Sequence, residues 1–244
     1  MTFSSPLFTS VPLDDDISTL CNVSREIIGI KLEPIVALPS SRLVGMEVLS
    51  LLKSPQHSEA FFQQQSVNQC LTLLETQLAA LKNTRYANDL FINLPITVFI
   101  EPESFARILP LLNAGQNIEI VEPGSFFQLP AETRERVTRH WWMLAERGCR
   151  LWLDDVNTAS IRPFLSCRLP LSGVKIDKMA FWRKRATPAL AELVKLCTQV
   201  AGEVLIEGIE SKQDRECALQ AGAGFGQGFY WPSLGWSEEK RTLA

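Results

Sequence analysis

Leu151-Trp152-Leu153-Asp154-Asp155 is a strand-length apolar run that ends on two adjacent acids, and the same punctuation recurs along the chain. On its N-terminal side lie Gly45-Met46-Glu47, Leu90-Phe91-Ile92-Asn93 and Ile118-Glu119-Ile120-Val121-Glu122. On its C-terminal side lie Val174-Lys175-Ile176-Asp177, Val204-Leu205-Ile206-Glu207 and Gly226-Gln227-Gly228. One acid after an apolar run marks a strand reaching solvent. A whole series of polar endings is what a barrel of parallel strands requires, because all its carboxyl ends meet at one rim, where active sites of that fold sit. Acids gathered there repel one another unless a cation holds them together. The sequence is therefore read as an α/β chain, a (β/α)8 barrel with an oxygen-ligated metal site.

Composition agrees. The 244 residues suit one barrel, which takes about 250 residues, so residues 1–24 are read as a lead-in and 25–244 as a single domain. A net charge of −3 gives no electrostatic reason to bind long nucleic acid or an anionic membrane. Six scattered cysteines lack zinc or redox spacing and read as reduced thiols. Two histidines, His57 and His140, exclude a histidine-rich metal site, leaving carboxylate and amide oxygens that suit Mg²⁺ or Mn²⁺. The first 19 residues carry Asp14-Asp15-Asp16 but no basic stretch followed by an apolar one. No run approaches the roughly 20 apolar residues of a membrane span. The expected location is the cytoplasm, away from membranes.

The pattern outward from Leu151 alternates. A hairpin opens the chain, Ile27 to Leu38 and Leu43 to Leu52, its first strand an expected edge because of Pro34. A single helix is expected from about Ser58 to Lys82, with Val67, Leu71, Leu74, Leu78 and Leu81 on one face. Strands at 90–94, 117–122, 150–155, 173–176, 203–207 and 223–227 alternate with helices near 103–112, 131–147, 161–166, 188–201 and 212–221. That order implies a mostly parallel sheet. The alternative, an open doubly wound sheet, would concentrate its ligand at one switch point.

Asp154-Asp155 is the sharpest local feature. The first points along the barrel and the second turns outward, so together they could serve two cations, as two-metal phosphoryl chemistry requires. Alone, such a pair is a solvated turn; Glu47, Asn93 and Glu119 at comparable positions favour the metal reading. Lys175 could steady a developing phosphorane charge, or simply pair with an acid. Glu207 is placed to polarise water or complete a metal shell, and Glu210 to brace a loop. Gln227 between two glycines lets backbone approach a ligand closely, although a turn explains the glycines equally. Trp141-Trp142 reads as core or subunit contact, Arg183-Lys184-Arg185 as a solvated helix start, and His140 as a surface residue. No Ser/His/Asp arrangement and no glycine-rich phosphate loop is present.

These stretches, together with Lys31-Leu32-Glu33-Pro34-Ile35-Val36, Val44–Leu49, Lys175-Ile176-Asp177, Ile206–Glu210 and Gln227-Gly228-Phe229, resemble the EAL domain in order and spacing from about residue 28 to 235. The resemblance implies a modified TIM barrel with an irregular N-terminal hairpin that hydrolyses cyclic di-GMP to linear pGpG with Mg²⁺ or Mn²⁺, two ions in all. It implies Glu47, Asn93, Glu119 and Asp154 on metal and Asp155 at the second ion. It further implies Lys175 orienting water, Glu207 and Gln227 completing the network, and Glu122 anchoring the loop after Asp155. A homodimer is implied as well. The chain departs from the family at Glu33 (usually Gln), Leu51 (usually Arg), Val48 and the loop Val156-Asn157-Thr158-Ala159. Those departures leave a second reading open: a non-catalytic domain that binds cyclic di-GMP or a regulatory protein partner, such as a transcription or motility factor.

Overall fold

The computed structural model describes residues 20, 23–54, 58–84, 86–87 and 89–237, without the side chains of 58–60. Most of the lead-in, with Cys21 and His57, lies outside the described residues.

Two strands rich in β-branched and apolar residues, β1 (Ile27–Ala37) and β2 (Arg42–Leu52), pair antiparallel. β3 (Leu90–Pro95), β4 (Asn117–Val121), β5 (Arg150–Val156), β6 (Leu171–Ile176), β7 (Glu203–Ile206) and β8 (Phe225–Gly226) follow, each parallel to the strand before it. β8 then pairs antiparallel with β1, which closes an eight-stranded barrel. β1 is thus no edge. A short β9 (Leu234–Ser237), with little sequence signal, also pairs with it at Gly29–Leu32, while β8 takes Val36 and Ala37. Pro34, which has no N–H to give, falls in the interval where only β2 pairs with β1.

The outer helices are α1 (Ser58–Gln63), α2 (Val67–Leu81), α3 (Pro102–Ile108), α4 (Ala131–Glu146), α5 (Thr158–Ile161), α6 (Lys178–Lys184), α7 (Ala189–Cys197) and α8 (Lys212–Gln220). The single helix expected over 58–82 is two. Ser66 Oγ accepts the Gln69 N–H at 3.3 Å and Gln69 Oε1 accepts the Ser66 N–H at 2.9 Å, a reciprocal cap that starts α2 afresh. Arg183-Lys184-Arg185 closes α6 instead of opening a helix, where cations suit the negative helix end. Trp141 is buried in the layer beneath α4, its ring 6.1 Å from Phe99, whereas Trp142 faces out. His140 is half-buried, with Nδ1 2.8 Å from the Phe99 carbonyl and its ring stacked on Phe105. Among the described residues no helix is long and apolar enough to cross a membrane.

Inside the barrel the side chains lie in layers drawn from alternate strands. The floor is Ile35, Phe91, Trp152 and Leu205, one from each odd-numbered strand. Gly173 on β6 makes room for the indole: a Cβ there would lie 2.2 Å from the Trp152 ring. Trp152 Nε1 donates to Asn117 Oδ1 at 3.0 Å, so the one polar atom of that ring is satisfied. This dry floor seals the barrel beneath everything that follows.

Candidate metal centre

A strand's side chains repeat on one face every two residues, so the next layers can be counted from the floor. The even strands contribute Glu47 (β2), Glu119 (β4) and Lys175 (β6), with Gln227 directly after β8. The odd strands contribute, two residues beyond the floor, Glu33 (β1, which runs the other way), Asn93 (β3), Asp154 (β5) and Glu207, directly after β7. Where such barrels are ordinarily packed with branched apolar side chains, this one carries two polar layers, six of whose eight members are charged. The expectation that these residues close their strands needs correcting: Glu47 lies mid-strand, with β2 running on to Leu52, and Asn93, Glu119 and Asp154 are also followed by further strand residues. They line the bore instead of standing at its rim, and the reason is the inward-facing parity just described.

Lys175 is the hub. Its side chain is 1% exposed, and Nζ lies 3.0 Å from Glu119 Oε1, 3.1 Å from Asp154 Oδ1, 3.1 Å from Glu207 Oε1 and 3.4 Å from Glu47 Oε2. Burial disfavours the ammonium, but Asp154, Glu119, Glu207 and Glu47 outweigh it and hold the Lys175 pKa well above its ordinary value. Glu47 is held from both sides: Asn93 Nδ2 donates to Oε1 at 2.7 Å and Gln227 Nε2 to Oε2 at 2.5 Å. Burial alone would raise the Glu47 pKa; the Lys175 charge and these two donors reverse the balance and lower it. The other acids go the opposite way. Burial and the neighbouring Glu47 raise Glu119 well above the usual carboxylate range, and burial with Glu47 nearby raises Asp154 despite Lys175. Glu207 is pushed up to about 8 by burial, against the pull of Lys175, with Asp154, Glu47 and Asp155 adding to the rise. Burial and Asp154 push Asp155 up to about 6.

Asp155 reaches this group through a bulge. Leu153 pairs with Val174 and Val156 with Ile176, so β5 fits three steps against two on β6, and Asp155 adopts a left-handed backbone with φ of 50°. An irregularity of this kind re-aims side chains. Asp155 faces outward, yet Asp154, Asp155 and Glu207 each offer one oxygen within 4.8 Å of the others. The loop that follows is ordered by Asn157, which is extended and caps α5: its Oδ1 accepts from the Ala159 N–H at 2.9 Å and the Ser160 N–H at 3.1 Å. The left-handed residue here is Asp155, not Asn157, and helical Ala159 meets no strain.

Gly228 explains its own presence. With φ of 146°, any Cβ would fall 2.4 Å from the Ile209 carbonyl oxygen. The close approach is to the loop after β7, not to a ligand: Ile209 N–H donates to the Gln227 carbonyl at 3.0 Å and Tyr230 N–H to the Ile209 carbonyl at 2.9 Å. This zip fixes Gln227 over Glu47. The two residues expected as loop anchors make local contacts. Glu122 has a left-handed backbone and accepts from Gln63 Nε2 at 3.3 Å. Glu210 gives its backbone N–H to Asp214 Oδ2 at 3.2 Å. Two residues with no weight in the sequence reading as site members join the site: Lys31, whose ammonium pairs with Glu33 Oε1, and Phe229, whose ring lies 5.8 Å from that ammonium. The signal for Lys31 was the inward parity of β1, which becomes readable only once β1 is known to run against the other strands, and Phe229 is placed by the glycine-turned loop after β8.

The donors fit a hard divalent cation. They are carboxylate and amide oxygens, the chemistry Mg²⁺ and Mn²⁺ prefer. Glu119 Oε2 and Gln227 Oε1 are buried and have no hydrogen-bond partner among the described residues, a cost that bound metal or its water would remove. A separate cleft of about 770 Å³, lined by Phe126, Arg134, Arg139 and Arg168 among others, shares no residue with this centre.

Comparison with known proteins agrees with this picture. The family model described as the EAL domain matches residues 18–233. The cyclic di-GMP phosphodiesterase RocR of Pseudomonas aeruginosa is 26% identical over 115 residues, 46% of this chain; the chain spans 28% of that relative's length. An EAL domain protein from Listeria monocytogenes EGD-e superposes with a TM-score of 0.68 at 18% identity, covering 96% of this chain and 99% of that one. BlrP1 of Klebsiella pneumoniae, solved as a manganese and cyclic di-GMP complex, gives 0.63 at 22%, covering 85% and 55%. At such identities the structural likeness shows the fold.

Proposed function

Because this chain belongs to the EAL domain family, we propose that it is a cytoplasmic, metal-dependent phosphodiesterase that hydrolyses cyclic di-GMP to linear pGpG. The observation that carries this reading is the Lys175 hub: four carboxylates within 3.4 Å of one ammonium, enclosed in a barrel bore. Four formal negative charges against one positive is a deficit that divalent cations answer. Glu47, Asn93, Glu119 and Asp154 would hold one ion, and Asp155 with Glu207 would serve a second. Bound there, the ions would supply Lewis-acid polarisation of a phosphodiester and lower the pKa of a water.

The chain's own residues do the rest. Asn93 and Gln227 each donate to one oxygen of Glu47 and so fix its carboxylate plane. Lys175 is locked by its four partners with its charge intact and would orient the attacking water and offset charge gathering on the phosphoryl oxygens. Glu207, 3.1 Å from the Lys175 ammonium and within reach of Asp154 and Asp155, would complete the network that positions the water. The apolar floor keeps bulk water out from below.

Glu33 favours the second reading, a domain that binds without cleaving, because it adds an acid to the upper polar layer. Variants decide between the two. Glu47→Ala and Glu119→Gln are expected to lose at least about a hundredfold in turnover together with most of the Mn²⁺-induced rise in melting temperature. A wild type that gains stability from Mn²⁺ and binds the nucleotide but releases no product would establish the binder. Full turnover in Glu47→Ala would overturn the site assignment.

A further inference from the structure

We propose that Lys31 and Phe229 form the entry subsite of this centre, the Lys31 ammonium binding a phosphate oxygen of the anionic nucleotide and the Phe229 ring stacking on a base. The inference rests on the function proposed above and adds to it residues that decide affinity.

The register places Lys31 first. β1 runs against the other strands, so its N-terminal half lies at the mouth. Lys31 stands opposite Leu49, two residues mouthward of the Glu33–Glu47 pair, and on the same face as Glu33 and Ile35. Around it the wall is neutral. Gly29 pairs with Leu51, Lys31 itself pairs with Gly235 on β9, and β9 carries no charged residue. Within β1, β2 and β9 the other cation is Arg42, at the far end of the hairpin opposite Ala37. Arg25 and Lys53 flank the hairpin beyond its mouth end, so along the three strands themselves an anion meets the Lys31 ammonium.

Lys31 is also held in place. It is about three-quarters buried at its side chain and pairs with Glu33 Oε1. Glu33 Oε2 accepts from Gln227 Nε2 at 3.3 Å, and the same Nε2 donates to Glu47 Oε2. A continuous chain of polar contacts therefore runs from Lys31 through Glu33 and Gln227 to the carboxylate that Lys175 also touches. A loose surface ion pair on one strand contributes little; this one is braced from below by the centre itself. The acid at position 33 is neutralised locally, and an ammonium with three donors has more to offer once Glu33 has taken its share.

Phe229 completes the subsite. It is 76% exposed, the most exposed of the large apolar side chains described, while its neighbour Trp231 is 9% exposed and packed in the core. It follows Gly228, two residues after Gln227, and its ring centroid is 5.8 Å from Lys31 Nζ, within cation–π range. An aromatic ring with no packing duty, beside a cation at the mouth of an acidic bore, suits a ligand that is both phosphate and flat base. Base stacking on such a ring is worth enough to read in affinity.

The test is affinity for cyclic di-GMP with Mn²⁺ present, read as KM where product forms and as Kd where none does. Lys31→Met and Phe229→Leu are each expected to weaken it about tenfold, with kcat nearly unchanged, and Lys31→Arg to retain it. An unchanged Mn²⁺-induced thermal shift verifies that each variant is folded with its centre intact. The double variant Lys31→Met/Glu33→Gln separates contact from neutralisation. If it stays weak, the ammonium touches the ligand; if wild-type affinity returns, Lys31 merely cancels Glu33 and the proposal falls. Wild-type affinity in Lys31→Met overturns it equally. A wild type with no affinity for the nucleotide, seen before any substitution, sinks the functional reading itself and this subsite with it.

Discussion

At the scale of one residue, Lys175 sets this bore apart from an ordinary apolar core. Burying an ammonium costs several kcal/mol unless charges and donors compensate, and here four acids do so. Lys175→Met removes the compensation and leaves Glu47, Glu119, Asp154 and Glu207 facing one another. The expected outcome is a protein at least about 3 kcal/mol less stable at pH 8 in chelator, partly rescued by Mn²⁺, as denaturant melts with and without metal would show. Gly228 makes the complementary point. Any side chain there collides with Ile209, so Gly228→Ala should part the two loops and release Gln227 from Glu47. Turnover should fall while the far-UV spectrum stays unchanged. The acids themselves were legible from sequence as polar endings of apolar runs. Glu33 was legible only as a departure, and Lys31 and Phe229 were not singled out, because their placement depends on strand direction and on a glycine-turned loop that no periodicity encodes.

The elements explain how neighbouring residues come to face one centre. Adjacent residues on a regular strand point to opposite faces, so Asp154 and Asp155 could not both serve the bore without the bulge that gives β5 its extra step against β6. Behind the bulge, Asn157 caps α5 and fixes the loop. Asn157→Ala should cost about 1 kcal/mol, the usual price of a lost N-cap, and should lower affinity for a second Mn²⁺ more than for the first, as a calorimetric titration resolves. Ala159→Gly, by contrast, should leave stability equal or slightly lower, since the position is helical and gains nothing from glycine. Sequence patterning recovered the alternation of strands and helices because each buries one apolar face. It misjudged the 58–82 stretch because a Ser66–Gln69 cap is a two-residue signal inside an unbroken apolar periodicity. It missed β9, whose four residues carry neither alternation nor charge.

Across the whole molecule, closure of the sheet through β1 turns separate strand features into layers: a dry floor, then two polar storeys, then the mouth. The fold was foreseen because seven separated features all point to one rim. What sequence could not fix was depth, since the residues lie within strands and not at their ends. Depth has a thermodynamic consequence. Without metal, Glu207 and Asp155 have folded-state pKa values raised to about 8 and about 6. The folded protein then binds more protons than the unfolded chain between those values and the ordinary carboxylate range. Stability in chelator should therefore fall as pH rises from about 5 through about 8. Mn²⁺ replaces those protons, so the metal-induced rise in melting temperature should grow over the same window, as thermal melts at stepped pH would record. The most direct measurement follows from the same charge imbalance: incubate the protein with cyclic di-GMP in Mn²⁺ and, separately, in EDTA, and chromatograph the nucleotides. Linear pGpG in Mn²⁺ and intact substrate in EDTA is the expected result. Intact cyclic di-GMP in both, from folded protein that binds Mn²⁺, would contradict a phosphodiesterase centre.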